Sequence, residues 1–127
     1  MINDDLREIL NGTPIAHIAT VLPDGGPHAV PVWIGTHGDH IAVFTGPGAR
    51  KARNWDRDPR VAISLTPSDN PYQPVIIRGT VVERIDGDAG WDIVDTIAKK
   101  YTGGPYPREQ ERFAVLIEPT SQQVGMR

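Results

Sequence analysis

Hydrophobic and polar residues alternate along much of this chain, and the points where the period changes mark its elements. Leu6, Ile9 and Leu10 fall at helical spacing, with Asn3 placed to cap the helix and Asn11-Gly12 to stop it. From Pro14 to Val21, Ile15, Ile18, Ala19 and Val21 form a short β-branched run that ends at the turn sequence Pro23-Asp24-Gly25-Gly26. A second strand over Pro27–Gly35 carries Val30, Val32 and Ile34 at period two, and His37-Gly38-Asp39 turns it into a third, His40–Thr45. Three strands on short turns predict an antiparallel meander.

The period then changes. Gly46-Pro47-Gly48 opens a short basic helix that Asp58-Pro59 ends. Arg60–Thr66 reads as a fourth strand, residues 67–71 as a loop of turn-formers, and Pro74–Ile85 as a long fifth strand. Proline at 74 lacks a ladder donor, so the start of that strand is expected to be frayed or at a sheet edge. Asp86 heads a helix through Trp91, Val94, Ile97 and Ala98 to Tyr101, broken by Thr102-Gly103-Gly104-Pro105. Phe113–Ile117 is the last strand, leading to a polar tail. Six strands and three short helices predict a mainly β fold, a six-stranded antiparallel barrel in which closure removes the sheet edges. With 127 residues and no internal repeat or linker, residues 1–127 form a single domain.

Composition narrows the function without choosing it. A 39% hydrophobic and 23% charged chain of net charge −3 has no electrostatic footprint for nucleic acid. No cysteine is present, which excludes thiolate catalysis and sulfur-ligated zinc and suits a reducing cytoplasm. The opening MINDDLREIL is acidic where a signal peptide is basic, and no stretch approaches the roughly 20 apolar residues of a membrane span. A cytoplasmic protein is expected.

The segment with most chemistry in it is Thr45–Arg60. Arg50, Lys51, Arg53 and Arg57 lie within two turns of a helix whose first backbone N–H groups are unpaired. Free amides, the helix dipole and a flexible ammonium together suit a phosphate. Glycines at 46 and 48 let a ligand approach the backbone, and Thr45 ends a strand at the same place. The same spacing fits a solvated basic helix whose arginines pair with Asp56 and Asp58, so both readings stand on spacing alone.

Elsewhere the usual machinery is missing. His17, His28, His37 and His40 form no metal-ligand spacing, and Ser64, Ser68 and Ser121 have no nucleophile-elbow context. Asp4-Asp5 and Asp86 with Asp88 read as acidic helix starts. Trp91 reads as core, whereas Trp33 and Tyr72 are candidates for packing a planar ring. Cation, backbone donors and apolar walls without acid, base or nucleophile suit a protein whose cofactor does the chemistry.

The order of segments resembles the flavin- and deazaflavin-binding split-barrel proteins, the group that includes pyridoxine-phosphate oxidase-like enzymes. The likeness rests on Asp24-Gly25-Gly26-Pro27-His28 with Pro31-Val32-Trp33, on Arg50-Lys51-Ala52-Arg53-Asn54 with Arg57-Asp58-Pro59-Arg60-Val61, and on Ile77-Arg78-Gly79-Thr80-Val81. Lesser echoes are Lys100-Tyr101, Gly104-Pro105-Tyr106-Pro107 and Glu111-Arg112. The form around Lys51 looks like the branch that uses the deazaflavin coenzyme F420, other branches using FMN.

The resemblance implies a homodimer with two cofactor sites at its interface. It implies that Lys51 and Arg50 bind the cofactor phosphate, that Thr45 and Gly46 border it, and that Pro31, Val32 and Trp33 flank the ring. Tyr72 is expected to cover the cofactor from the second subunit, and Arg78 to reach the same cleft. The implied activity is hydride transfer from reduced deazaflavin to a small organic substrate such as an enone, quinone or tetrapyrrole. The proton would come from solvent or from His28, although the position of His28 at a strand start fits a surface histidine better. An FMN oxidoreductase of the same fold and a non-catalytic deazaflavin carrier are the alternatives.

Overall fold

A computed structural model describes residues 1–125. Its elements run α1 (Asp4–Leu10), β1 (Ala16–Val21), β2 (Pro27–Val32), β3 (Gly35–His37), β4 (His40–Thr45), α2 (Arg50–Arg57), β5 (Arg60–Leu65), β6 (Val75–Ile85), α3 (Gly87–Thr102) and β7 (Phe113–Val124). Asn3 caps α1 through Oδ1, which accepts the Leu6 N–H at 2.9 Å, and Gly103 ends α3 at φ 84°.

The strands form one antiparallel sheet in the order β2-β1-β5-β6-β7-β4-β3, seven strands rather than six. The expected second strand is split: Trp33 and Ile34 form a corner, and Gly35–His37 pairs with β4 instead of continuing β2. The expected meander is therefore replaced by a β1–β2 hairpin and a separate β3–β4 hairpin, with β4 pairing to β7. β2 and β3 occupy opposite edges of the sheet, yet only two residues join them. Three Cα–Cα steps of 3.8 Å limit the gap from Val32 to Gly35 to about 11 Å, so the sheet must curl almost onto itself. It is a split barrel, open along one seam rather than closed by a ladder.

β6 lies in the sheet interior, not at an edge or frayed. Pro74 stands just before its first residue and accepts the Gly125 N–H at 2.8 Å, so the missing donor costs the ladder nothing. β7 runs to Val124 where a polar tail is expected, because Ser121, Gln122 and Gln123 still pair along β6 after the apolar stretch ends. Gly79 sits at a bulge where an added Cβ would lie 2.5 Å from the Glu118 carbonyl.

The core has two parts. Ile18, Ile34, Ile41, Val43, Ile63, Ile77, Val115 and Ile117 fill the barrel with Leu6 and Leu10 of α1. On the outside, α3 lays Ile93 and Ile97 over Ala42, Ala114 and Leu116. β7 is thus apolar at every position from Phe113 to Ile117 because both of its faces are covered.

The corner between β2 and β3 is held by α3. The Lys100 ammonium donates to the carbonyls of Leu10 (2.5 Å), Gly12 (2.9 Å) and Ile34 (2.7 Å). The Tyr101 hydroxyl accepts the Ile34 N–H and donates to the Pro14 carbonyl. Burial pushes Lys100 down to about 8, even though three carbonyls converge on it.

Candidate functional site

Where β4 gives way to α2, the chain runs Thr45-Gly46-Pro47-Gly48-Ala49 and then turns into the helix. Alanine at the N-cap has no side-chain oxygen to offer, and no side chain caps this end. The first-turn amides are left for a ligand, with the positive end of the helix dipole behind them. Thr45 is only 4% exposed, and its Oγ1 is buried with no hydrogen-bond partner among the described residues. That hydroxyl can donate to an oxygen of a ligand in the space Thr45 lines.

This end of β4 and α2, the end of β2 and the segment from Tyr106 to Arg112 line an open cavity of about 770 Å³. Lys51 reaches it from α2, and Arg112 faces it from the residue before β7. Gly46 makes room for that guanidinium, since a Cβ there would stand 2.8 Å from Arg112 Nη1 and 3.2 Å from the Glu111 carbonyl. Among the described residues neither cation lies within ion-pair distance of a carboxylate. Burial, and then the neighbouring Arg112 charge, hold the Lys51 ammonium below its ordinary value. Two half-buried cations repelling each other beside uncapped amides form a site built for an anion.

The remaining walls are apolar. Pro31, Val32 and Trp33 line one side, with Phe44 and Tyr106 beside them. Trp33 stacks on Tyr101 at 5.0 Å and 6°, and meets Phe44 edge-on at 6.3 Å and Tyr106 at 6.2 Å. Phe44 and Tyr106 themselves meet edge-on at 4.9 Å. Stacking on Tyr101, itself fixed at the β2–β3 corner, sets the plane of the indole.

Six of the residues read from sequence therefore come together: Pro31, Val32, Trp33, Thr45, Gly46 and Lys51 all line the cavity. Three do not in a single chain. Arg50 is exposed, because successive helical residues diverge by 100° and only one of Arg50 and Lys51 can face the cavity. Tyr72 is 89% exposed on the loop before β6. Arg78 lies in a separate groove with Ala19, Ala62 and Thr80 on the outer face of the sheet. His28 is not among the cavity walls either; it pairs with Thr20 across β1 and β2.

The basic helix is not simply solvated. Asn54, fully buried, donates to Thr20 Oγ1 at 2.8 Å, and Arg57 donates to the Val21 carbonyl, so both pin α2 to β1. Asp58 is engaged by Arg60 at 2.8 Å, not by the helix arginines. Within the basic motif, then, Asn54 and Arg57 dock the helix and Lys51 serves the cavity. Sequence reasoning missed Arg112, Tyr106 and Phe44 as site residues. The first two stood in the motifs Glu111-Arg112 and Gly104-Pro105-Tyr106-Pro107, but nothing in their spacing brings them to Lys51.

A family model described as pyridoxamine 5′-phosphate oxidase matches residues 2–122. Among solved structures, an F420 reductase superposes with TM-score 0.80 at 25% identity, over 96% of this chain and 98% of that one. A conserved hypothetical protein from Mycobacterium tuberculosis gives TM-score 0.80 at 26% identity, over 98% of this chain and 84% of that one. An FAD and haem binding protein from Mycobacterium smegmatis shares the fold, with TM-score 0.73 at 19% identity, over 98% of this chain and 71% of that one. No curated protein sequence matches.

Proposed function

We propose that this chain, which belongs to the pyridoxamine 5′-phosphate oxidase family, is an oxidoreductase whose 770 Å³ cavity holds a phosphorylated deazaflavin, coenzyme F420. The observation that carries the reading is a trio at the start of α2: the half-buried Lys51 and the Arg112 guanidinium, neither facing a carboxylate among the described residues, and the Thr45 hydroxyl, around uncapped helix amides. Their donor set fits a phosphate. The Pro31–Trp33 wall fits a flat ring. The F420 reductase, alike over nearly the full length of both chains, favours the deazaflavin. The family match alone does not choose between a deazaflavin and FMN, and FMN is the second reading.

When bound, such a cofactor supplies the hydride chemistry. The chain's own residues have three tasks. Lys51, Arg112 and the α2 amides fix the phosphate end. Pro31, Val32 and Trp33 hold the ring against a rigid aromatic stack, and Phe44 and Tyr106 keep water from it. His28 is not among the cavity walls, which leaves solvent of the two proton sources read from the sequence. The acceptor is a small organic molecule of the enone, quinone or tetrapyrrole kind.

The same proposal includes a cytoplasmic homodimer in which Tyr72 and Arg78 reach the partner's cavity. Supporting it, Tyr72, Ile76 and Ile15 are large hydrophobic side chains left exposed, Ile15 at the rim of the cavity. No helix among the described residues is long and apolar enough to cross a membrane.

Parallel fluorescence titrations with oxidised coenzyme F420 and with FMN test the reading. Tighter binding of the deazaflavin is expected. Tighter binding of FMN moves the protein to the second reading, and no saturable binding of either overturns both. Stopped-flow oxidation of the bound, reduced cofactor by a quinone separates a reductase from a carrier.

A further inference from the structure

A second cavity of about 360 Å³ adjoins the first, and Trp33, Tyr106, Gln110 and Arg112 line both. Its own walls come from the end of α3 and the following loop: Ala98, Thr102, Pro105, Pro107 and Glu109. Pro105, Pro107 and Ala98, with the two shared aromatic rings, make it largely apolar. The loop is not free to fold into this space. Asp95 on α3 accepts the Tyr106 N–H at 3.0 Å and takes Arg108 through two bonds of 2.7 Å each, and Arg108 lies 4.0 Å from the Trp91 ring centre. These contacts clip the loop on both sides of Pro107 and hold the cavity open.

Arg112 stands at the boundary between the two spaces. Its Nη1 donates to the Glu111 carbonyl at 2.8 Å and its Nη2 to Gln110 Oε1 at 3.0 Å. A guanidinium has five N–H donors, so about three remain without a protein acceptor among the described residues. An apolar slot ending on a cation with spare donors suits one kind of guest.

We propose that the smaller cavity is a second ligand pocket, which takes a flat, apolar molecule of about two fused rings with its carboxylate or carbonyl oxygen on Arg112. Such a guest lies against the Trp33–Tyr106 wall and abuts whatever fills the first cavity. The inference rests on the cofactor reading only in sharing Arg112, whose remaining N–H donors serve the phosphate on one side and this guest on the other; the pocket itself does not depend on which cofactor binds.

The test uses 2-naphthoate as the probe, followed by its own fluorescence and by quenching of tryptophan emission, with and without saturating FMN or coenzyme F420. Saturable binding that persists when the first cavity is filled is expected. Thr102 and Glu109 line only the second cavity, so their replacement separates the two spaces. Thr102→Trp should weaken 2-naphthoate at least tenfold and leave cofactor affinity unchanged. Glu109→Gln removes a like charge and should tighten 2-naphthoate about two- to threefold, a readout that survives if the tryptophan variant does not fold. Displacement of the probe by the cofactor, indifference to both substitutions, or no saturable binding overturns the pocket. If neither cofactor binds but the probe still responds to both substitutions, the pocket stands and the cofactor reading falls.

Discussion

Replacing Lys51 by methionine separates a ligand-binding role from a structural one, because the two predict opposite signs. In the free protein the ammonium is half-buried, faces the Arg112 charge and has no carboxylate partner among the described residues, and burial followed by that repulsion lowers its pKa. Methionine keeps the apolar stem and removes the unfavourable charge. Stability of the free protein should therefore stay within about 0.5 kcal/mol of the parent or rise. Affinity for a phosphorylated cofactor should fall by about 1.5 to 3 kcal/mol, the scale of a hydrogen bond to a charged group. That is a loss of about 10- to 150-fold in Kd. Urea unfolding without ligand and fluorescence titration with coenzyme F420 measure the two quantities on the same preparation. The loss should shrink as salt is added, since part of it is Coulombic. Unchanged affinity, or stability and affinity falling together by more than 1 kcal/mol, would refute the assignment.

Gly46→Ala places a methyl group 2.8 Å from Arg112 Nη1 and 3.2 Å from the Glu111 carbonyl; the flexible guanidinium should swing away, weakening cofactor binding about 3- to 10-fold with under 1 kcal/mol lost in unfolding. Lys100→Met strands the carbonyls of Leu10, Gly12 and Ile34 and should cost about 2 to 4 kcal/mol in urea denaturation, against under 0.5 if the corner holds itself. Hydrogen bonding to Arg60 holds Asp58 down to about 2 from 3.8, so its contribution is complete above pH 3.8 and lost as the pH falls through about 2. The melting-temperature gap between the parent and Asp58→Asn should accordingly close across that window; a gap constant from pH 5 to pH 2 contradicts the sign.

Most elements were legible because their signals are local. Alternation gave β1, β5 and β6 to within two residues, Asn3 and Gly103 marked helix ends, and the strand, Gly-turn and helix around Lys51 read directly. The strand at Gly35–His37 was not legible, because period two continues from β2 through Ile34 and only a tertiary contact breaks it. That contact comes from Lys100 and Tyr101, 66 and 67 residues further along. Arg112 escaped for the same reason: its place beside Lys51 follows from β7 pairing with β4, which no spacing within either segment encodes. The motif Ile77-Arg78-Gly79 was visible, but the glycine answers to a bulge against Glu118, and the arginine points away from the cavity of its own chain.

The pairing of β7 with β4 also sets an order of events. The β1–β2 hairpin closes across a five-residue turn, whereas Ile41 must wait for Ile117, and Thr45 for Phe113. Local pairings form early and distant ones late. During synthesis β4 is left without its long partner until β7 has emerged, an unpaired apolar edge that can recruit a neighbouring chain. The cavity exists only after that strand docks, since Gly46 and Arg112 then meet across the join. Pulsed hydrogen exchange during refolding should protect β1 before β4, and a ligand for the cavity should speed recovery of the native yield without speeding the hairpin.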